Sequence, residues 1–164
     1  MSAEILLAVF DCNIFIQALL NPNSVAARCL ETVRNGKVKL FVSKDTLAEI
    51  RDVILRPNIL SRLPDADAEQ IEAFIEDVSS LSTLIHSVPK SFRLERDPKD
   101  EIIINLAVAC EAGYIISRDK DLLDLMTGIT GDCKEFRQRF RPLKVVEPLE
   151  FLRIVEEKEL SLNQ

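Results

Sequence analysis

The segment Glu4 to Phe10 carries a continuous apolar run that stops abruptly at Asp11. A strand with water on one face alternates apolar and polar residues, so an unbroken run of this length fits a strand covered on both faces, as in a parallel sheet. The rest of the chain repeats the theme. Lys37 to Val42, Thr83 to Val88, Tyr114 to Ser117 and the pair Val145 and Val146 read as further strands, with helical segments between them. Ile14 to Leu20 looks helical up to the turn cluster Asn21, Pro22, Asn23, and Ser24 caps a helix running to Asn35 with Gly36 just past its end. Ser43 caps another that reaches Leu55 and is closed by Pro57, after which residues 58 to 64 form a loop or short turn. Asp65 to Ser80 places Ile71, Phe74, Ile75 and Val78 at helical spacing; Pro89 to Pro98 reads as loop and Lys99 to Glu111 as a helix closed by Gly113. Lys120 to Leu125 and a terminal helix from Glu150 to Glu157 complete the set. Strands alternating with helices predict an α/β fold, a three-layer α/β/α sandwich around a central, mostly parallel sheet. With 164 residues, no repeat and no linker, residues 1–164 read as one domain. A domain of that size buries roughly 70% of the surface its unfolded chain exposes.

Four acids far apart in the chain fall where a strand hands over to a helix or early in a helix: Asp11, Glu49, Asp100 and Asp119. In open parallel sheets ligands bind beyond the carboxyl ends of the strands, so these carboxylates can converge in one cleft. Without a cation between them they would repel one another and hold protons above the usual range. Mg²⁺ or Mn²⁺, hard ions that take oxygen ligands, are the natural occupants, and a bound water activated there can attack a phosphodiester. Asn13 and Ser117 are placed to orient the acids, and Asp97 and Asp121 stand beside Asp100 and Asp119 in the same supporting role. A plainer account competes with each acid taken alone. Asp100 and the triplet Asp119, Asp121, Asp124 also suit a helix cap and an acidic first turn, and Glu49 a solvated helix face. For Asp11 that account is weaker, because an acid directly after a buried strand is costly without a partner.

Composition removes several alternatives. The chain has one histidine, His86, and its four cysteines, Cys12, Cys29, Cys110 and Cys133, show no short paired spacing, which argues against zinc. No apolar run has the length of a membrane span or the shape of a secretory leader, so a cytoplasmic protein with reduced thiols is expected. The formal charge of −6 would repel nucleic acid overall, and a nucleic-acid substrate therefore requires a local basic face.

The order and spacing of the acidic blocks resemble the PIN domain family of ribonucleases, in particular the bacterial branch that supplies the toxin of toxin and antitoxin pairs. Val9-Phe10-Asp11-Cys12-Asn13-Ile14-Phe15 resembles the family's opening strand and its Asp-x-Asn signature. Ser43-Lys44 through Leu47-Ala48-Glu49-Ile50 resembles the helix carrying its glutamate, Asp97-Pro98-Lys99-Asp100 its Asp-Pro-x-Asp block, and Tyr114 through Leu123 its final acidic block. The likeness extends nearly to the end of the chain, through Val145 to Leu152. It implies that Asp11, Glu49, Asp100 and Asp119 bind Mg²⁺ or Mn²⁺ and that the substrate is single-stranded or looped RNA. It also implies a homodimer and a small antitoxin that blocks the cleft. Two positions depart from the pattern: Glu101 follows Asp100 where a second Asp or Asn is frequent, and Arg118 precedes Asp119 where a small residue is common.

For RNA contacts, the densest basic stretch is Lys134, Arg137, Arg139 and Arg141, interleaved with Phe136 and Phe140. Arginines can grip phosphates and phenyl rings can stack on unpaired bases; the duller account is a solvated helix or loop whose two Phe anchor it to the core. Arg137, Arg141 and Arg118 are the candidate phosphate contacts. Two other functions are weighed against the nuclease. A phosphatase of the haloacid dehalogenase type would also place Asp after its first strand, but it needs a second Asp where Asn13 stands. A non-catalytic adaptor that binds RNA or protein would have lost one or more of the acids, and all four are present.

Overall fold

The computed structural model describes residues 5–63, 65 and 67–163; Glu4, which opens the first expected strand, lies outside them. Five parallel strands, β1 (Leu6–Phe10), β2 (Val38–Ser43), β3 (Ser82–Ile85), β4 (Tyr114–Ile116) and β5 (Lys144–Val146), form one sheet in the order β3-β2-β1-β4-β5. Every neighbouring pair is parallel, with Val9 opposite Phe41 on one side and Ile115 on the other. The chain walks outward from β1 to β3, then crosses back over to lay down β4 on the other flank of β1. Strand order therefore reverses between β1 and β4, where the carboxyl ends open a crevice.

Side-chain alternation along the strands divides the apolar residues into two cores. Leu6, Ala8 and Phe10 join Leu40, Val42 and Ile116 in one, against α1 (Cys12–Leu20), α2 (Val25–Arg34), α3 (Lys44–Ile54), α5 (Ala68–Leu81) and α9 (Pro148–Leu162). Leu7 and Val9 join Phe41, Ile115 and Val145 in the other, under α6 (Asp100–Ala109), α7 (Lys120–Leu123) and α8 (Gly131–Arg139). This is the expected three-layer sandwich, with every strand parallel. The helix stripe Ile71, Ile75 and Val78 on α5 is buried in the first core.

Local chemistry sets several boundaries. Ser24, Ser43 and Asp67 each accept a hydrogen bond from the backbone N–H three residues on, starting α2, α3 and α5. The expected start of the last of these at Asp65 moves to Ala68 for that reason. Pro57 does not merely close α3: it sits at the first position of a single-turn helix, α4 (Pro57–Leu60), after an extended Arg56, as a proline requires of the residue before it. Gly36 takes a φ of 79°, the left-handed conformation that ends a helix. The four cysteines are free thiols. Among the described residues no helix is long and apolar enough to cross a membrane.

Candidate metal centre

Asp11 follows β1 directly and occupies the N-cap position of α1, yet its side chain caps nothing. Its Oδ2 instead accepts a hydrogen bond of 2.8 Å from the hydroxyl of Ser117, one residue past β4. Ser117 is fully buried, and its Oγ in turn accepts the backbone N–H of Asp119 at 2.9 Å. One hydroxyl thus ties the end of β1 to the turn after β4, across the point where strand order reverses. Asp119 caps α7, its Oδ1 accepting the N–H of Asp121 at 2.8 Å.

Asp100 opens α6. The approach to it is a tight turn in which Asp97 Oδ1 accepts the Lys99 N–H at 3.1 Å and Asp97 O accepts the Asp100 N–H at 3.1 Å. That turn swings the carboxylates of Asp97 and Asp100 to the same mouth. There they meet Asp119, one oxygen from each of the three lying within 4.8 Å of the others. Asp100 is only 6% exposed, and its Oδ2 is a buried oxygen with no hydrogen-bond partner. A buried acceptor left without a donor costs free energy comparable to a lost hydrogen bond or more. A cation would satisfy it, and three carboxylate oxygens are the donor set that a hard divalent ion such as Mg²⁺ or Mn²⁺ prefers.

The electrostatics agree with that fit. Burial first, then the charges of Asp119, Asp97, Asp11 and Asp121, push the Asp100 carboxyl up to about 8. Burial also raises Asp11, opposed by the Ser117 hydrogen bond and reinforced by Asp119 and Asp97. Glu49, half-buried on α3, is raised by burial and by Asp11, with Lys99 and Arg56 working against the shift. The Cys12 thiol, beside these acids, is pushed up to about 12, by burial first and then by Glu49 and Asp11. No basic side chain is among the main influences on Asp11 or Asp100. The cleft concentrates negative charge.

The residues singled out from sequence are distributed as follows. Asp100 and Asp119 share the tightest grouping, and Asp97, given a supporting role from sequence, stands in it as their equal. Asp11 joins through Ser117, whereas Glu49 lies outside the grouping and is felt through Asp11. Asn13 is exposed on the first turn of α1. Asp121 is engaged elsewhere: Arg96 Nη2 donates to its backbone oxygen at 3.0 Å and pairs with its Oδ1 at 3.3 Å.

Arg137, an expected phosphate contact, is engaged with the protein's own backbone. Its Nη1 donates to Leu125 O at 2.9 Å and its Nη2 to Gly128 O at 2.8 Å, so the guanidinium closes the turn before α8. Phe136 is fully buried and packs edge-on against Phe92 and Phe140 at 5.8 and 5.7 Å, which leaves it no face for a base. Arg118 and Arg141 are exposed.

Sequence reasoning missed what steadies the Asp97 turn. Phe92 and Leu94 anchor the preceding loop in the core, and Asn105 of α6 accepts the N–H groups of Ser91 and Phe92 at 3.0 and 2.8 Å while donating to Phe92 O. Glu101, the departure from the family pattern, accepts the Leu94 N–H at 2.7 Å. The only advance signal was an Asn inside an otherwise apolar helix.

Comparison with known proteins agrees with this layout. Residues 7–121 match the PIN domain, a span that contains Asp11, Glu49, Asp97, Asp100, Ser117 and Asp119. The chain is 32% identical over 144 residues to the uncharacterized protein MJ1680 of Methanocaldococcus jannaschii, covering 88% of each chain. The chain belongs to the PIN domain family.

Proposed function

We propose that the chain is a Mg²⁺- or Mn²⁺-dependent endoribonuclease that hydrolyses RNA phosphodiester bonds. The observation that carries this reading is the unpartnered, buried Oδ2 of Asp100, whose carboxylate meets those of Asp97 and Asp119 at the carboxyl rim of the sheet. Asp97, Asp100 and Asp119 would hold the ion, with Asp11 and Glu49 completing the acidic cleft. When bound, such an ion polarises the phosphodiester and makes an attacking water more acidic. Ser117 fixes one oxygen of Asp11 at the rim, and the Asp11 carboxylate would take up the proton of an attacking water. Family membership supports the reading, since PIN domains are typically metal-dependent nucleases. Exposed Arg118, directly before Asp119, is the phosphate contact this arrangement favours.

Resemblance to the toxin branch supports a finer role as the toxin of a toxin and antitoxin pair, acting as a homodimer. Co-purification with the product of the adjacent reading frame, and loss of cutting in that complex, would test it. The nuclease itself is tested by RNA cleavage on a gel with Mn²⁺, with chelator, and with Asp11→Asn or Asp119→Asn. Cutting should require the metal and both acids; undiminished cleavage by either variant, or in chelator, would overturn the assignment.

A further inference from the structure

The acids of the cleft come from segments with no covalent reason to keep their spacing: Asp97 from the loop before α6, Asp119 from the turn after β4. Among the described residues, one side chain makes a hydrogen-bonded link between the 89–99 loop and the 117–126 segment, and it is that of Arg96. Its Nη2 meets both the backbone oxygen and the carboxylate of Asp121, with Asp124 Oδ2 at 3.9 Å. Asp121 in turn donates its N–H to Asp119 Oδ1. Arg96 is the residue immediately before Asp97, so its backbone moves with one acid while its guanidinium holds Asp121, the residue whose N–H orients another.

We propose that Arg96 is a positioning residue: it clamps the Asp97 loop to α7 and so sets the spacing between Asp97 and Asp119 that a divalent cation needs. The proposal rests on the metal-centre reading above. Exposure of the clamp sharpens the case. Arg96 and Asp121 are each 39% exposed, and an ion pair so open to water adds little to fold stability. Its consequence should therefore appear in cation binding. Charge and geometry also predict opposite results here. A guanidinium beside an acidic cleft repels a cation, so deleting it would strengthen binding if its field were all that mattered. Loss of ligand spacing weakens binding, commonly by 10- to 100-fold when a group that orients metal ligands is removed.

The test is calorimetric titration of Mn²⁺ into the chain and its Arg96→Lys and Arg96→Met variants, with melting curves in chelator. Arg96→Lys keeps the charge and loses the planar fork; it should weaken Mn²⁺ about 10-fold, at the lower end of that range, without moving the melt in chelator. Arg96→Met should weaken binding as well, although it removes a repelling charge. Wild-type affinity in Arg96→Lys, or tighter binding in Arg96→Met, would overturn the clamp while leaving the metal centre standing. A wild-type chain that takes up no Mn²⁺ would remove the metal centre and the clamp together.

Discussion

Replacing Asp100 with Asn should stabilise the metal-free protein. Burial and the neighbouring acids lift the Asp100 carboxyl from 3.8 to about 8, so the folded chain holds this proton more tightly than the unfolded one. For an acid raised on folding, the cost is absent below about pH 4, grows as the pH climbs and levels off above about pH 8. At pH 7 the gap spans roughly three units, each ~1.4 kcal/mol, which sets a ceiling of about 4 kcal/mol. Asp97 and Asp119 are partly exposed, and water reaching them screens the repulsion; about half the ceiling, ~2 kcal/mol, is the expected cost. Asp100→Asn removes it and supplies an amide that can donate to the flanking carboxylates. For a chain of this size ~2 kcal/mol corresponds to a melting point higher by about 4–8 °C. Calorimetric or circular-dichroism melts in chelator across the acid to neutral range would show the gain appear as the pH rises. With Mn²⁺ present the order should narrow or reverse, because only the wild type gains the full stabilisation of a bound ion. A variant no more stable than wild type near pH 7 in chelator, or equally stabilised at pH 4 and pH 7, would refute the reasoning.

Other expectations follow from named contacts. Ser117→Ala strands Asp11 Oδ2 and the Asp119 N–H inside a buried spot, so stability in chelator should fall by about 1–3 kcal/mol, read by denaturant titration. Asn105→Leu leaves Ser91, Phe92 N–H and Phe92 O without their partner; a loss of similar size is expected, with faster amide exchange confined first to the 89–98 loop. Arg137→Ala should lower the melting point by freeing two carbonyls and leave the salt dependence of RNA binding unchanged. By contrast, Arg118→Ala should reduce the slope of affinity against salt by about 1 if it meets a phosphate.

How much of this was legible in the chain depends on what each residue answers to. Asp11 stood out because an acid ending a wholly apolar strand has few inexpensive uses, and the structure supplies a polar partner rather than a helix cap. The parallel sheet was legible for the same reason: Leu6 to Phe10 is apolar on both faces because both faces are covered. Asp97 was harder to rank. Its spacing of three residues from Asp100 mimics an ordinary cap, and only the turn through Pro98 and Lys99 shows the two carboxylates sharing one mouth. What Arg137 holds could not be read at all. The carbonyls of Leu125 and Gly128 that claim it are backbone atoms, and a string of side chains carries no sign of backbone oxygens left open by a turn. The roles of Asn105 and Arg96 were hidden for a related reason, since each acts on the main chain of a segment distant in sequence; Asn105 showed only as a polar residue inside an apolar helix.

The reversal of strand order between β1 and β4 has a mechanical corollary. The outward-walking N-terminal half of the polypeptide and the returning C-terminal half meet along that line, stitched there by backbone ladder bonds and the Ser117 hydroxyl. An ion seated among Asp97, Asp100 and Asp119, with Asp11 across the line, would rivet the two halves at midbody rather than tidy a loose end. Chelation would then soften the middle of the sheet before its margins.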